Sequence, residues 1–133
     1  MVSVRWTTTV LACEDDPRSV AEFWAALLSS EPIRISDDFF AVRHGTAWLA
    51  VQRSRQAPPP SWPAGEHPIQ IHLDLAVTDL DDAVERAVAL GAQEEQQQPA
   101  AHRWRVMRAP GGHVFCLSDH IQDYLPVRFD TAA

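Results

Sequence analysis

The stretch "IQIHLDLAVTDLDD", Ile69 to Asp82, carries His72 and Asp74 two positions apart, and both side-chain types bind metals or move protons. Apolar and polar residues alternate here as in a half-buried strand. Ile71, Leu73, Leu75 and Val77 are therefore expected to pack on a helix, which turns Gln70, His72, Asp74 and Ala76 to the other face, into the cup of a curved sheet. His72 and Asp74 could serve as acid and base or anchor a polar ligand group. The bland alternative for Asp74 is a hydrogen-bonded acid satisfying a neighbouring Arg or backbone amide. Such positions lie roughly 7 Å apart along a strand, so the pair is not expected to share one ion without a flexible loop.

Other residues could line a pocket. In "TAWLAVQRS", Trp48, Ala50 and Gln52 share one face, where Trp48 supplies a flat apolar wall or simply fills space, and Gln52 an amide that donates and accepts. Trp104 lies on the opposite strand face from Arg103 and Arg105, so either the indole or a guanidinium reaches the pocket, the latter suiting an anionic ligand. Cys13 and Cys116 form no CxxC pair and read as buried thiols. His113 is expected to point away from the pocket, and His44, His67, His102 and His120 fall at strand ends or in loops. No HExxH, GxSxG elbow or phosphate loop occurs.

The elements that would position these residues repeat. "VRWTTTVLAC" reads as a strand; a helix follows, capped by Asp16, with Pro17 in its first turn and Val20, Phe23, Trp24, Leu27 and Leu28 at helical spacing. Three strand candidates come next: "PIRIS", "FFAVRH" and "TAWLAVQRS". After the proline-rich linker, about residues 55–68 and expected to lack regular structure, the order returns. A strand leads to the helix "LDDAVERAVAL", capped by Asp79 and closed by Gly91, and then to "AQEEQQ", "HRWRVMRA" and "HVFCLSD". The expected class is α+β: two βαβββ modules, about 1–54 and 69–119, paired into a curved, cup-like mixed sheet with helices outside, as one domain with a tail at 120–133.

Length and charge narrow the function. A chain of 133 residues suits a single core, and a formal charge of -7, with every basic residue a scattered Arg, argues against nucleic acid. No apolar run approaches membrane-spanning length and no leader-like start is present, so a cytoplasmic protein is expected.

"IHLDLAVTDLDDAVERAVALGA" followed by "WRVMRAPGGHVFCL" resembles the vicinal oxygen chelate superfamily of glyoxalase I, extradiol dioxygenases, and bleomycin and fosfomycin resistance proteins. Its small glyoxalase-like branch is the most similar. The resemblance runs to about Asp119 and implies metal-ligand positions on the first and last strand of each module. Matched through the helix caps, these are Thr9 (Thr8 if the register slips by one), Gln52, His72 and Cys116, where metal-dependent members carry His, Gln or Glu. This set lacks a carboxylate, so the metal site reads as degenerate and no cofactor is expected, a divalent metal being the lesser alternative.

The expected function is a small-molecule-binding protein, often a homodimer in this family, with Trp48, Gln52, His72, Asp74, Trp104 and Cys116 as ligand-binding candidates. The alternative is an enzyme, either a metal-dependent lyase or dioxygenase or a metal-free isomerase or cyclase using His72 and Asp74. A third reading is an assembly partner with a filled cup.

Overall fold

The computed structural model describes residues 1–129, which fall into two compact units with the sequence boundary between Ala57 and Pro58. The first unit runs β1 (Thr8–Cys13), α1 (Pro17–Leu27), β2 (Pro32–Ser36), β3 (Phe39–His44) and β4 (Ala47–Arg53). Its sheet has the order β1-β4-β3-β2, with β1 parallel to β4 and the other pairs antiparallel. A parallel first pair needs a crossover, and α1 with β2 and β3 supplies it.

Asp16 starts α1 by accepting hydrogen bonds from the Arg18 backbone N–H at 3.2 Å and from the Ser19 hydroxyl at 3.0 Å. Helical spacing then sets Val20, Ala21, Phe23 and Trp24 on one buried side. They cover the sheet face that carries the buried Phe40, Val42, Leu49 and Val51. Arg18 lies over the Phe40 ring, 5.0 Å from its centroid, at the margin of that layer.

The second unit repeats the order as β5 (Leu73–Ala76), α2 (Leu80–Leu90), β6 (Gln93–Glu94), β7 (Trp104–Arg108) and β8 (Val114–Ser118). Its sheet is β5-β8-β7-β6, again with a parallel first pair. The Asp79 carboxylate accepts from the Asp82 N–H at 3.0 Å, and Gly91 closes α2 with φ 122°, in a region that favours glycine. Under α2 lie Phe115 and Leu117, and Arg105 reaches from the same face to Asp81 on the helix at 2.9 Å. The two expected βαβββ modules are thus present, and the fold is α+β.

Three local expectations change. The strand expected from Ile69 begins only at Leu73, and Ile71 is 85% exposed rather than packed under α2. β5 bonds within its sheet only to β8, whose ladder starts at Phe115 opposite Leu73, so nothing holds residues 69–72 to the alternation. β6 shrinks to two residues because the Gln98 side chain takes over part of its role: its amide accepts from Val106 N–H and donates to Val106 C=O, both at 2.9 Å.

The linker is the third. From Pro58 onward it packs on the second sheet, with Ser61 bridged to Pro68. Arg108 donates to Pro60 C=O at 2.9 Å, and the Trp62 indole N–H donates to Gln97 C=O at 2.9 Å. Trp62 and Ile69 pack against Val106, Val114 and Cys116. Gly112, at φ 93°, lets this strap approach, since a Cβ there would collide with Pro59. Among its described residues the tail adds one 3-10 turn, Ile121–Asp123, anchored by the buried Ile121; residues 130–133 of the expected tail lie outside the described residues.

Candidate functional site

Residues paired across neighbouring strands point to the same side of a sheet. In the second unit Asp74 pairs with Cys116, Val106 with Cys116, and Trp104 with Ser118. These five share the face turned away from α2. Arg105, paired with Leu117, is on the helix side, so of the indole and the guanidinium it is the Trp104 indole that shares the face of Asp74 and Cys116. Trp104 remains 37% exposed.

His72 sits one residue before β5, free of the ladder, and its ring swings along the chain to Asp74. Nε2 of His72 lies 2.9 Å from Oδ1 of Asp74, with the two side chains 42% and 49% exposed. The expected 7 Å separation is therefore corrected: strand geometry fixes backbone spacing, but a long side chain at a strand end bridges it. With Nε2 as the donor, the carboxylate accepts and Nδ1 of His72 is left as the basic nitrogen.

Cys116 completes the cluster from below. Ligating atoms of His72, Asp74 and Cys116 all lie within 4.8 Å of one another. Burial pushes the Cys116 thiol up to about 11, helped by the Asp74 charge and by a hydrogen bond to that carboxylate. Near neutral pH it is therefore a protonated thiol and a weak nucleophile.

Among the described residues, the first unit supplies no equivalent trio. Trp48 and Gln52 do share the face turned away from α1, with Arg43 stacked 5.9 Å from the Trp48 centroid. Thr9 pairs with Leu49 and so belongs to the α1 side, a correction to the position derived from the helix caps; Thr8, paired with Trp48, is on the open side. Gln52 pairs with Ala12 as Cys116 pairs with Asp74, which sets Val10 and Ala12 where the second unit has His72 and Asp74. The caps mislead because Asp74 lies five residues before Asp79 but Ala12 only four before Asp16. A cap fixes where a helix starts, not the phase of the strand before it.

Sequence reasoning missed the aromatic and aliphatic rim that Trp62 and Ile69 add beside Cys116. The available signal was a lone Trp in "PPPSWPAG", an unexpected residue for a solvated linker. A separate polar cavity of about 360 Å³ opens at the start of α2, lined by Thr78, Asp79, His102, Arg105 and Asp119 among others. The His120 ring bonds Asp119 at 2.7 Å beside it.

The family model of the glyoxalase-like domain matches residues 8–118. The chain belongs to this family. Solved structures agree on the fold of this glyoxalase-like domain. A glyoxalase-related enzyme from Fulvimarina pelagi superposes with a TM-score of 0.67 at 16% identity, covering 96% of this chain and 95% of that one. The fosfomycin resistance protein FosX from Mesorhizobium loti gives 0.63 at 15% identity, covering 90% and 93%. A mutant FosX from Listeria monocytogenes, complexed with Mn(II) and 1S,2S-dihydroxypropylphosphonic acid, gives 0.64 at 17%, covering 90% and 94%. A glyoxalase/bleomycin resistance protein/dioxygenase family enzyme from Burkholderia phytofirmans gives 0.59 at 18% identity, covering 84% and 94%. The family match over residues 8–118, in company with these shared folds, supports the vicinal oxygen chelate superfamily. No curated protein matches the sequence.

Proposed function

We propose that this glyoxalase-like domain binds a small molecule, using His72 and Asp74 on the open face of the second sheet as its polar anchor. The observation that carries this is the half-exposed His72–Asp74 pair at 2.9 Å, flanked on the same face by the exposed Trp104. A carboxylate and a ring nitrogen offer an acceptor and a switchable donor, and an indole offers a flat apolar wall. In the first unit Trp48 and Gln52 present a similar combination of aromatic wall and amide. A partly aromatic or amphipathic metabolite or drug is the ligand class these groups suit.

One structural relative is a Mn(II) complex, which raises the question of whether the residues present suit a hard divalent ion. Manganese or magnesium asks for several oxygen donors in octahedral array. Here one carboxylate stands with an imidazole and a protonated thiol, and the first unit offers Val10 and Ala12 at the matching places. The donor set does not fit a hard ion, and binding is assigned to the chain's own groups.

A thermal-shift screen of planar small molecules against chelator-treated protein tests this reading. At least one compound is expected to bind without added magnesium or manganese, and His72→Ala is expected to weaken it by about tenfold, the loss of one hydrogen bond to a charged partner. Binding that demands manganese or magnesium would sink the proposal.

The same 2.9 Å contact favours a second reading, a metal-free isomerase or cyclase in which Asp74 orients His72 as the proton carrier. Turnover of a bound compound, abolished by His72→Ala, would select it over simple binding. Residence in the cytoplasm and assembly as a homodimer are part of the proposal; no helix among the described residues is long and apolar enough to cross a membrane.

A further inference from the structure

We infer that Trp62 sets the size of the ligand that the second unit accepts: its indole fills the middle of the open sheet face and leaves room for one small flat ring system beside His72 and Asp74. This rests on the reading of that face as a ligand site and adds the residue that limits it. Rows of side chains across the sheet define the space. One row joins Arg108 to Val114, the next joins Val106 to Cys116 and Asp74, and the last joins Trp104 to Ser118 and Ala76. Successive rows on one face lie roughly 7 Å apart along the strands. A bare sheet face would leave the first two rows wet, yet Val106, Val114 and Cys116 are buried. Their cover comes from the linker, because Trp62 and Ile69 pack against these three side chains. The β5 edge with Asp74, and Trp104 one row further along, keep their exposure.

The indole is held at its edge and through its backbone, so the boundary it makes is fixed. Its N–H donates to Gln97 C=O at 2.9 Å, and Arg108 donates to Pro60 C=O at 2.9 Å while the Glu95 carboxylate and Gly112 C=O hold the same guanidinium. The segment also closes on itself: Ser61 N–H donates to His67 C=O at 2.6 Å, and His67 N–H to the Ser61 hydroxyl at 3.1 Å. With the backbone anchored in this way, truncating Trp62 leaves a hole that the neighbours refill only in part. At the open edge the Asp74 carboxylate accepts from His72 and from the Cys116 thiol. An ionised carboxylate has about four acceptor sites, so it can take a further N–H from a ligand. The ligand class is therefore a flat heteroaromatic ring system with an N–H donor for Asp74 and a face for the Trp104 indole, no longer than the strip that Trp62 leaves uncovered.

The test sets two probes of the same donor chemistry and different length against the full chain by calorimetry: benzimidazole and the one-ring-longer linear naphthoimidazole. The unaltered chain is expected to bind the longer probe at least about tenfold more weakly than the shorter. Trp62→Ala should strengthen the longer probe by at least about tenfold. Trp62→Leu, which keeps an apolar cover and guards against a folding defect, should strengthen it by a smaller factor. Adding Asp74→Asn to Trp62→Ala should cancel most of the gain, because one ligand then spans both the anchor and the vacated space. Benzimidazole held equally by the unaltered chain and by Asp74→Asn would defeat the anchor reading. No gain of the longer probe in either Trp62 variant, or a gain that survives Asp74→Asn, would overturn the role of Trp62; circular dichroism on each variant confirms that the fold persists.

Discussion

At the scale of single residues, Cys116 shows how neighbours set a side chain's role. Buried at 9% exposure against Val106 and Val114, and facing the Asp74 carboxylate, its thiol keeps a proton up to about 11. The fold binds this proton more tightly than the unfolded chain, whose thiol titrates near 9.0. The associated stability is complete below the unfolded value and is lost as pH rises through 9 toward 11. Denaturant midpoints across that window should fall less for Cys116→Val, which has no proton to lose, than for the unaltered chain. Equal falls would argue that the thiol contributes nothing. Sequence displayed Cys116 and His72 as candidates, yet the reach of His72 to Asp74 was hidden. Backbone periodicity says which face a residue takes, while rotamers at the end of a strand decide which atoms meet.

At the scale of elements, caps and periodicity were legible because they are local. Asp16 and Asp79 do cap α1 and α2, and of the α1 stripe Val20, Phe23 and Trp24 are buried where spacing placed them, while Leu27 and Leu28 are only partly so. Replacing Asp79 with Ala should lower unfolding free energy by about 1 kcal/mol, the usual worth of an N-cap, read as a lower denaturant midpoint with an unchanged slope. A change below a few tenths would show that the Asp82 N–H finds another partner. Strand limits and phases were less legible, since they depend on partners distant in sequence. Ile69–His72 read as strand but lack a ladder; Thr9 read as a ligand position but faces α1; "AQEEQQ" lost most of its strand to one glutamine side chain.

At the scale of the molecule, the βαβββ repeat and its family were readable in the order of elements, and residues 8–118 match the family model. The homodimer expected from the family resemblance stays a proposal, to which the structure adds only where apolar surface is exposed. Val2, Val4 and Trp6 before β1, and Ile33 and Ile35 on the edge strand β2, remain exposed. Single exposed apolar residues are ordinary, but exposed Ile33 and Ile35 on an unpaired edge strand would favour pairing of copies. Light scattering at micromolar concentration should give about twice the 14.8 kDa of one chain; a monomer would refute the homodimer.

The strap from Pro58 to Pro68 also bears on how the chain can be divided. Sequence alone suggests cutting it into halves at Ile69, where the second repeat begins. A fragment starting there would lose Trp62 and the anchors at Pro60 and Ser61, laying bare Val106, Val114 and Cys116. A fragment starting at Pro58 keeps that cover in place. A cut that keeps the second sheet covered therefore falls eleven residues before the repeat itself begins.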